Sequence, residues 1–327
     1  MLLLAAAFLT LAAGRQPQLA AQGDTVAITY GSGNAIYFAS SHDGGRSFTA
    51  PLKVAEPDAK LMLGKRRGPR IALAGSSMVI TAVSGGDLLA WRSGDEGRSW
   101  QGPVRINSVE NSAREGLDGI SGGGSVVFAT WLDMRDGGMR LYGAASKDGG
   151  LTWPGNFLVY ASPDGHICEC CHPSALVASD GTLYAMWRNW LGGSRDLWYA
   201  ESHDAGAHWS SAKLGTGTWP LDGCPMDGGG LVLDNTGKVH TVWRRDAGVF
   251  AAMPGEGEQS LGPGKDPAVS WDRGLLAAWI QDGALMIKDG DDPPRQIADH
   301  ATAPVLAGRV LAWEQDGQVL VTRLGTN

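Results

Sequence analysis

The sequence predicts an all-β fold, a β-propeller built from four-stranded blades, and three observations support this prediction. Short apolar runs alternate with turn residues throughout, and no stretch keeps a helical period. The chain has 48 glycines and 13 tryptophans but only 6 tyrosines and 6 phenylalanines, which indicates many tight turns and one aromatic side chain per repeated unit. A strand–turn–strand pattern recurs roughly every 35–55 residues, which is the spacing of propeller blades.

The repeated unit is an apolar strand, a turn containing Gly or Asn, and a second strand that ends near an aromatic residue. Residues 174–187 and 230–243 are two clear copies, which end at Trp187 and Trp243. Related copies end at Tyr30, Val83, Trp131, Trp279 and Trp313. The count is therefore seven units, and the last one stops after its third strand. We expect seven blades.

The chain begins with an apolar run that ends in small residues near Ala12, Ala13 and Gly14. This composition is typical of a secretory signal peptide, and the run is short for a bilayer span, which takes about 20 apolar residues. We therefore expect residues 1–21 to be a signal peptide, cleaved after Ala13 or Ala21. Residues 22–327 would then form a single propeller domain without a membrane span, periplasmic or secreted.

The formal net charge of -7 disfavours phosphate backbones and anionic lipid as partners. We expect no nucleic-acid partner, and a monomer that takes a glycan or small molecule at the mouth of the propeller channel. The sequence contains no phosphate-binding Gly-Lys-Ser/Thr loop, no His-Glu-x-x-His and no nucleophile elbow.

Four segments follow the pattern Ser-x-Asp-x-Gly-x-x-aromatic: residues 41–48, 93–100, 146–153 and 202–209. In such a segment the Ser and Asp side chains bond their own turn, glycine takes a positive φ and the aromatic covers the turn. The repeat resembles the Asp-box, or bacterial neuraminidase (BNR) repeat, of the sialidase superfamily. The resemblance implies a structural hairpin remote from the active centre, so the boxes receive no catalytic role. It also implies six blades, the alternative to the seven counted.

In a propeller blade, the loop before the inner strand and the loop after the second strand lie on one face, opposite the boxes. All 4 cysteines of the chain fall in loops of this kind. Cys168, Cys170 and Cys171 precede the inner strand of the fourth unit, and Cys224 precedes that of the fifth. We expect the two loops to lie side by side at the channel mouth.

The cysteines have two main interpretations, and a redox thiol pair is a third. Disulfides suit an exported protein, and a bond from Cys224 to the first loop would join adjacent blades, although cysteines this close in sequence bond poorly to one another. Thiolates with an imidazole and a thioether instead suit Cu(I), or Zn²⁺ without the thioether. We predict copper, with zinc as the alternative, at a site made by Cys168, Cys170, Cys171, His172, Cys224 and Met226, with Asp227 nearby.

The resemblance also implies an arginine triad that clamps a substrate carboxylate, an aspartic acid/base and a tyrosine nucleophile, as in a sialidase acting on acidic glycans. Arg70, Arg188 and Arg244 are the candidates for the triad, and Asp118 for the acid. The last tyrosine of the chain is Tyr199, too early for the nucleophile of the family. Three activities remain open: a glycoside hydrolase, a copper-dependent redox enzyme, and a non-catalytic glycan- or protein-binding propeller with disulfides.

Overall fold

The computed structural model describes residues 8–325, and every regular element in this range is a β-strand. The strands form seven four-stranded sheets, arranged as blades around a central channel. The predicted all-β propeller is therefore confirmed, with seven blades rather than six. No helix of the described range is long and apolar enough to cross a membrane.

The first six blades each use four consecutive strands. Blade 1 contains β2 (Arg15–Gln22), β3 (Thr25–Ser32), β4 (Ala35–Ser41) and β5 (Leu52–Ala55). Blade 2 contains β6 (Arg70–Ala74), β7 (Ser77–Ser84), β8 (Asp87–Ser93) and β9 (Gln101–Arg105). Blade 3 contains β10 (Asp118–Gly123), β11 (Val126–Asp133), β12 (Arg140–Ser146) and β13 (Phe157–Tyr160). Blade 4 contains β14 (Ser174–Val177), β15 (Leu183–Arg188), β16 (Leu197–Ser202) and β17 (Ser210–Lys213). Blade 5 contains β18 (Gly229–Leu233), β19 (Val239–Arg245), β20 (Gly248–Ala252) and β21 (Gln259–Pro263). Blade 6 contains β22 (Lys265–Trp271), β23 (Leu275–Gln281), β24 (Ala284–Asp289) and β25 (Arg295–Ala298).

Blade 7 combines strands from both ends of the described chain. It contains β26 (Ala301–Ala307), β27 (Val310–Gln315), β28 (Gln318–Arg323) and β1 (Leu9–Ala13). The outermost strand, β1, is antiparallel to β28, so that Leu9 lies opposite Val321 and Ala13 opposite Gln318. This pairing explains why the last sequence unit stops after its third strand.

Part of the predicted signal peptide lies in these strands. Residues 1–7 lie outside the described residues, but Leu9–Ala13 is β1 and Arg15–Gln22 is β2, the inner strand of blade 1. Cleavage after Ala13 would remove β1, and cleavage after Ala21 would also remove all but the last residue of β2. The signal peptide itself stays a prediction.

The second strand of each blade forms most of the core, because it is covered on both faces. All residues of β7 are buried, for example. The aromatic residues that mark the units pack between blades, and the largest fully buried side chains include Trp131, Trp187, Trp243, Trp279 and Trp313. The prediction of one large aromatic per unit is thereby explained as packing.

The Asp-boxes form turns between the third and fourth strands of blades 1–4, as predicted. In the first box the Ser41 hydroxyl donates to Asp43 Oδ1 (2.7 Å) and accepts the Gly45 N–H (2.8 Å). Gly45 has a φ of 87°, and a Cβ there would lie 2.3 Å from Val310 of blade 7, so only glycine fits. We call the end of the propeller that carries these turns the box face.

Candidate functional site

The sulfur atoms gather at the channel mouth, on the loops that precede β14 and β18. Cys168 Sγ lies 3.7 Å from Cys170 Sγ and 3.4 Å from Cys171 Sγ. The three atoms are within 4.8 Å of one another, and all three side chains are buried. Met226 packs against them. We call Cys168, Cys170, Cys171 and Cys224 the sulfur cluster.

One disulfide is present in the sulfur cluster. Cys170 is bonded to Cys224, with the two Cα atoms 6.2 Å apart, whereas Cys168 and Cys171 are free. The bond joins the loop before blade 4 to the loop before blade 5, which is the inter-blade link that one interpretation predicted. While it exists, the four cysteines cannot all be thiolate ligands of one metal ion.

The two free cysteines differ in their electrostatic surroundings. The hydrogen bond with the Cys171 sulfur, together with Arg188 and Arg195, lowers the pKa of Cys168 to about 6, although burial opposes this. Burial raises the pKa of Cys171 well above its usual value. Arg195 Nη1 lies 3.1 Å from Cys168 Sγ. No spacing in the sequence links Arg195 to the cysteines, so sequence reasoning missed it.

His172 follows the cysteines but lies in the channel rather than among the sulfur atoms. Burial, with the nearby Arg66 and Arg70, lowers its pKa well below the usual value, and its Nδ1 has no hydrogen-bond partner in the described chain. A Cβ on Gly228 would lie 2.8 Å from this Nδ1, so the ring needs a glycine beside it. The predicted metal ligand His172 is therefore a channel residue in this structure.

The channel holds a polar cavity of about 200 Å³, bounded by the inner strands of all seven blades. Asp118 Oδ2 accepts a hydrogen bond from Thr81 Oγ1 (2.8 Å), and Asp118 Oδ1 lies 4.0 Å from Arg70 Nε. Burial raises the pKa of Asp118 to about 6, against the effects of Arg70 and Thr81. Asp118 Oδ1, Arg70 Nε and Arg66 Nη2 are buried and have no hydrogen-bond partner in the described chain.

The three arginines predicted as a triad have separate surroundings. Arg188 is fully buried and donates to the carbonyls of Asp227 (3.0 and 3.1 Å), Arg195 (2.7 Å) and Arg244 (2.8 Å). Arg70 lines the channel cavity, whereas Arg244 lines a neighbouring pocket. No tyrosine is among the residues of the described chain that line either space.

That neighbouring pocket, of about 340 Å³, adjoins the sulfur cluster through Pro225 and Met226. Asp227 Oδ2 accepts the Asp266 N–H (2.8 Å), and burial and Asp266 raise the pKa of Asp227 to about 6. Six of its lining residues have a positive φ although they are not glycine: Gln16, Lys65, Arg66, Met226, Asp266 and Ala303. Such strained residues concentrate at functional sites, and the sequence carries no sign of them.

Comparisons with solved structures support the fold. A streptogramin B lyase superposes with a TM-score of 0.62 at 13% identity, covering 98% of this chain and 98% of that chain. Virginiamycin B lyase from Staphylococcus aureus superposes with a TM-score of 0.60 at 12% identity, covering 98% of this chain and 99% of that chain. Trypanosoma rangeli sialidase with the inhibitor DANA gives 0.51 at 14%, covering 96% of this chain and 55% of that chain.

No curated protein matches the sequence. A family model described as the BNR repeat-like domain matches residues 23–222, the part of the chain that contains all four Asp-boxes. The chain therefore belongs to the BNR repeat-like domain family.

Proposed function

We propose that this propeller binds a soft metal ion, preferentially Cu(I), at the sulfur cluster. The observation that supports this proposal is the convergence of three buried sulfur atoms within 4.8 Å of one another. Around a tetrahedral metal with metal–sulfur bonds of about 2.3 Å, neighbouring sulfur atoms are about 3.8 Å apart. The distances from Cys168 Sγ, 3.4 and 3.7 Å, are close to that value.

Binding requires the Cys170–Cys224 bond to be reduced, because a disulfide sulfur is not a thiolate ligand. Reduction would leave three buried thiols, Cys168, Cys170 and Cys171, beside the exposed thiol of Cys224, with the Met226 thioether packed against the buried three. Thiolate and thioether ligands together favour Cu(I), while thiolates alone also suit Zn²⁺. His172 would take part only after turning away from the channel.

The test is metal binding by the purified full chain, before and after reduction with dithiothreitol and removal of the reductant under nitrogen. We expect about one Cu(I) per reduced chain in competition with a chromogenic Cu(I) chelator, and little binding by the oxidised chain. Replacing both Cys168 and Cys171 by serine should abolish binding by the reduced chain.

The matched control replaces Ser162 and Ser174 by alanine, which changes two polar residues near the same loops and leaves every sulfur in place. This control should bind as the unmodified chain does. Equal binding by the double-serine variant, or no Cu(I) and no Zn²⁺ on the reduced chain, would contradict the proposal.

Export to the periplasm or the medium is part of the proposal, since it rests on the apolar start of the chain. The N-terminus of the protein recovered from the producing cells decides it. An N-terminus at Gly14 or Gln22 supports export by cleavage, whereas an intact β1 in a cell-internal protein contradicts it. Mass spectrometry of the intact protein measures this directly.

Glycoside hydrolysis has less support from the geometry. The carbonyl bonds of Arg188 occupy its guanidinium, so this arginine is not available to clamp a carboxylate. Asp118 has the raised pKa that an acid catalyst needs. The residues that line its cavity include no tyrosine to act as nucleophile.

A further inference from the structure

Blades 5 and 6 enclose a pocket on the box face, opposite the face that carries the sulfur cluster. Its volume is about 550 Å³, within the usual range for small-molecule sites. Its walls come from β19, β20 and β23, and its rim from the β20–β21, β22–β23 and β24–β25 loops. These are the loops that lie at the box face in every blade.

In the blades that have a box, an aromatic side chain fills the corresponding space against the preceding blade. Trp100 of the second box packs edge-to-face with Phe38 of blade 1, with ring centroids 5.1 Å apart. Trp209 of the fourth box lies 5.7 Å from Phe128 and 6.0 Å from Phe157 of blade 3. The aromatic residue of the box therefore packs between two neighbouring blades.

Strand register shows that this pocket corresponds to the space that Trp209 fills between blades 3 and 4. Phe128 lies three residues before the buried Trp131, and His240 lies three residues before the buried Trp243. In blade 3, Thr130 pairs across the sheet with Gly143, which pairs with Phe157. In blade 5, Val242 pairs with Ala251, which pairs with Gln259. Phe128, Gly143 and Phe157 of blade 3 therefore correspond to three residues that line the pocket: His240, Ala251 and Gln259.

Blade 6 has no box. Trp271, at the end of its inner strand, lies against His240, and the space between this pair and Gln259 stays open. Its β24–β25 loop, residues 290–294, is shorter than the β16–β17 loop, residues 203–209, that carries Trp209. The walls are small residues, among them Ala251, Ala252 and Ala277.

The other two blades without a box fill the equivalent interface differently. Between blades 4 and 5, Tyr184, Tyr199 and Phe250 pack together. Between blades 6 and 7, Arg309 bonds to Asp289 (2.6 Å) and Asp272 (3.3 Å).

The pocket offers an aromatic wall. The rings of His240 and Trp271 lie against each other, with centroids 4.5 Å apart and planes tilted by 33°. A planar aromatic ligand can pack against this pair.

We propose that this pocket binds a small planar aromatic molecule of indole size. The ligand packs against His240 and Trp271, in the interface that the box tryptophan fills in blades 2 and 4. The proposal is independent of the sulfur cluster, which lies on the opposite face.

Quinoline, a planar bicycle with one ring-nitrogen acceptor, is the probe, and calorimetric titration of the full chain is the measurement. We expect one quinoline per chain. Ala251→Phe fills the pocket, and Gln259→Trp covers it from an exposed position, so each should weaken quinoline binding at least tenfold. Gln296→Trp, an exposed glutamine on the equivalent strand of blade 6, is the matched control and should bind as the unmodified chain does.

Thermal unfolding establishes that each variant is folded. The proposal is overturned if quinoline shows no saturable binding at millimolar concentration, or if folded Gln259→Trp and Ala251→Phe both bind normally.

Discussion

Aspartates serve opposite purposes at the two ends of this propeller. In the boxes, Asp43 and Asp95 are half-buried and Asp148 and Asp204 are exposed, and hydrogen bonds from their own turns lower the pKa of all four. At the channel, Asp118 and Asp227 are buried and their pKa is raised to about 6. The donors that stabilise a box carboxylate lie within four residues of it, whereas the partners of a channel carboxylate come from other blades. Local hydrogen bonds therefore lower the pKa of this residue type in one place, and burial raises it in the other.

The largest expected effect comes from the arginine that organises the channel mouth. Arg188→Ala leaves three buried carbonyls without their donor and opens a cavity, so it should lower the free energy of unfolding by about 3–5 kcal/mol. Urea unfolding measures this change. Arg98→Ala, at a side chain that is 76% exposed on the box face, is the control and should change stability by about 0.5 kcal/mol or less. Equal effects of the two substitutions would show that Arg188 has no structural role.

An intermediate effect is expected from the buried channel acid. Because the pKa of Asp118 is raised from 3.8 to about 6, the folded protein keeps a proton that the unfolded chain has released between these values. The free energy of unfolding should therefore fall as pH rises from about 4 to about 6, by about 3 kcal/mol for this group, and stay level above. Asp118→Asn should remove that part of the slope.

Urea unfolding of both proteins at several pH values between about 4 and about 7 gives the comparison. Asp227 titrates in the same window in both proteins, so the difference between them reports on Asp118 alone. Parallel curves for the two proteins would mean that Asp118 titrates normally.

The smallest effect is expected from a box. Hydrogen bonds from Ser99 and Ser93 lower the pKa of Asp95 to about 2, so the ionised carboxylate stabilises the fold above about pH 4 and this contribution is lost as pH falls toward about 2. Asp95→Asn should be slightly less stable than the unmodified chain near neutral pH, and the two should converge on acidification. Thermal unfolding near pH 7 and near pH 3 tests this, and a gap that widens in acid would refute it.

The comparison also explains what the sequence could predict. Each Asp-box is a set of bonds within one turn, as between Ser41, Asp43 and Gly45, so its residues appear together in the sequence. The buried tryptophans recur with the blades for the same reason, since each blade repeats one packing position. Seven blades followed from counting the strand–turn–strand units, five of which end at a buried tryptophan.

The candidate site was only partly predictable, because its contacts join distant segments. The clustering of cysteines at one face followed from their place before two inner strands. The Cys170–Cys224 pairing and the contact of Arg195 with Cys168 depend on how the loops of blades 4 and 5 meet. The sequence predicts that Arg188 binds a substrate carboxylate, whereas its N–H groups donate to backbone carbonyls of three other segments.

The shared blade 7 has a mechanical consequence. Leu9, near the start of the described chain, lies opposite Val321, near its end, in antiparallel strands. In a chain that keeps β1, a force that pulls on both ends of the described range therefore acts at the same end of this strand pair, and it opens the hydrogen bonds one after another rather than shearing them together. The propeller should open between β1 and β28 at low force, while the six blades made of consecutive strands stay intact until these two strands have separated.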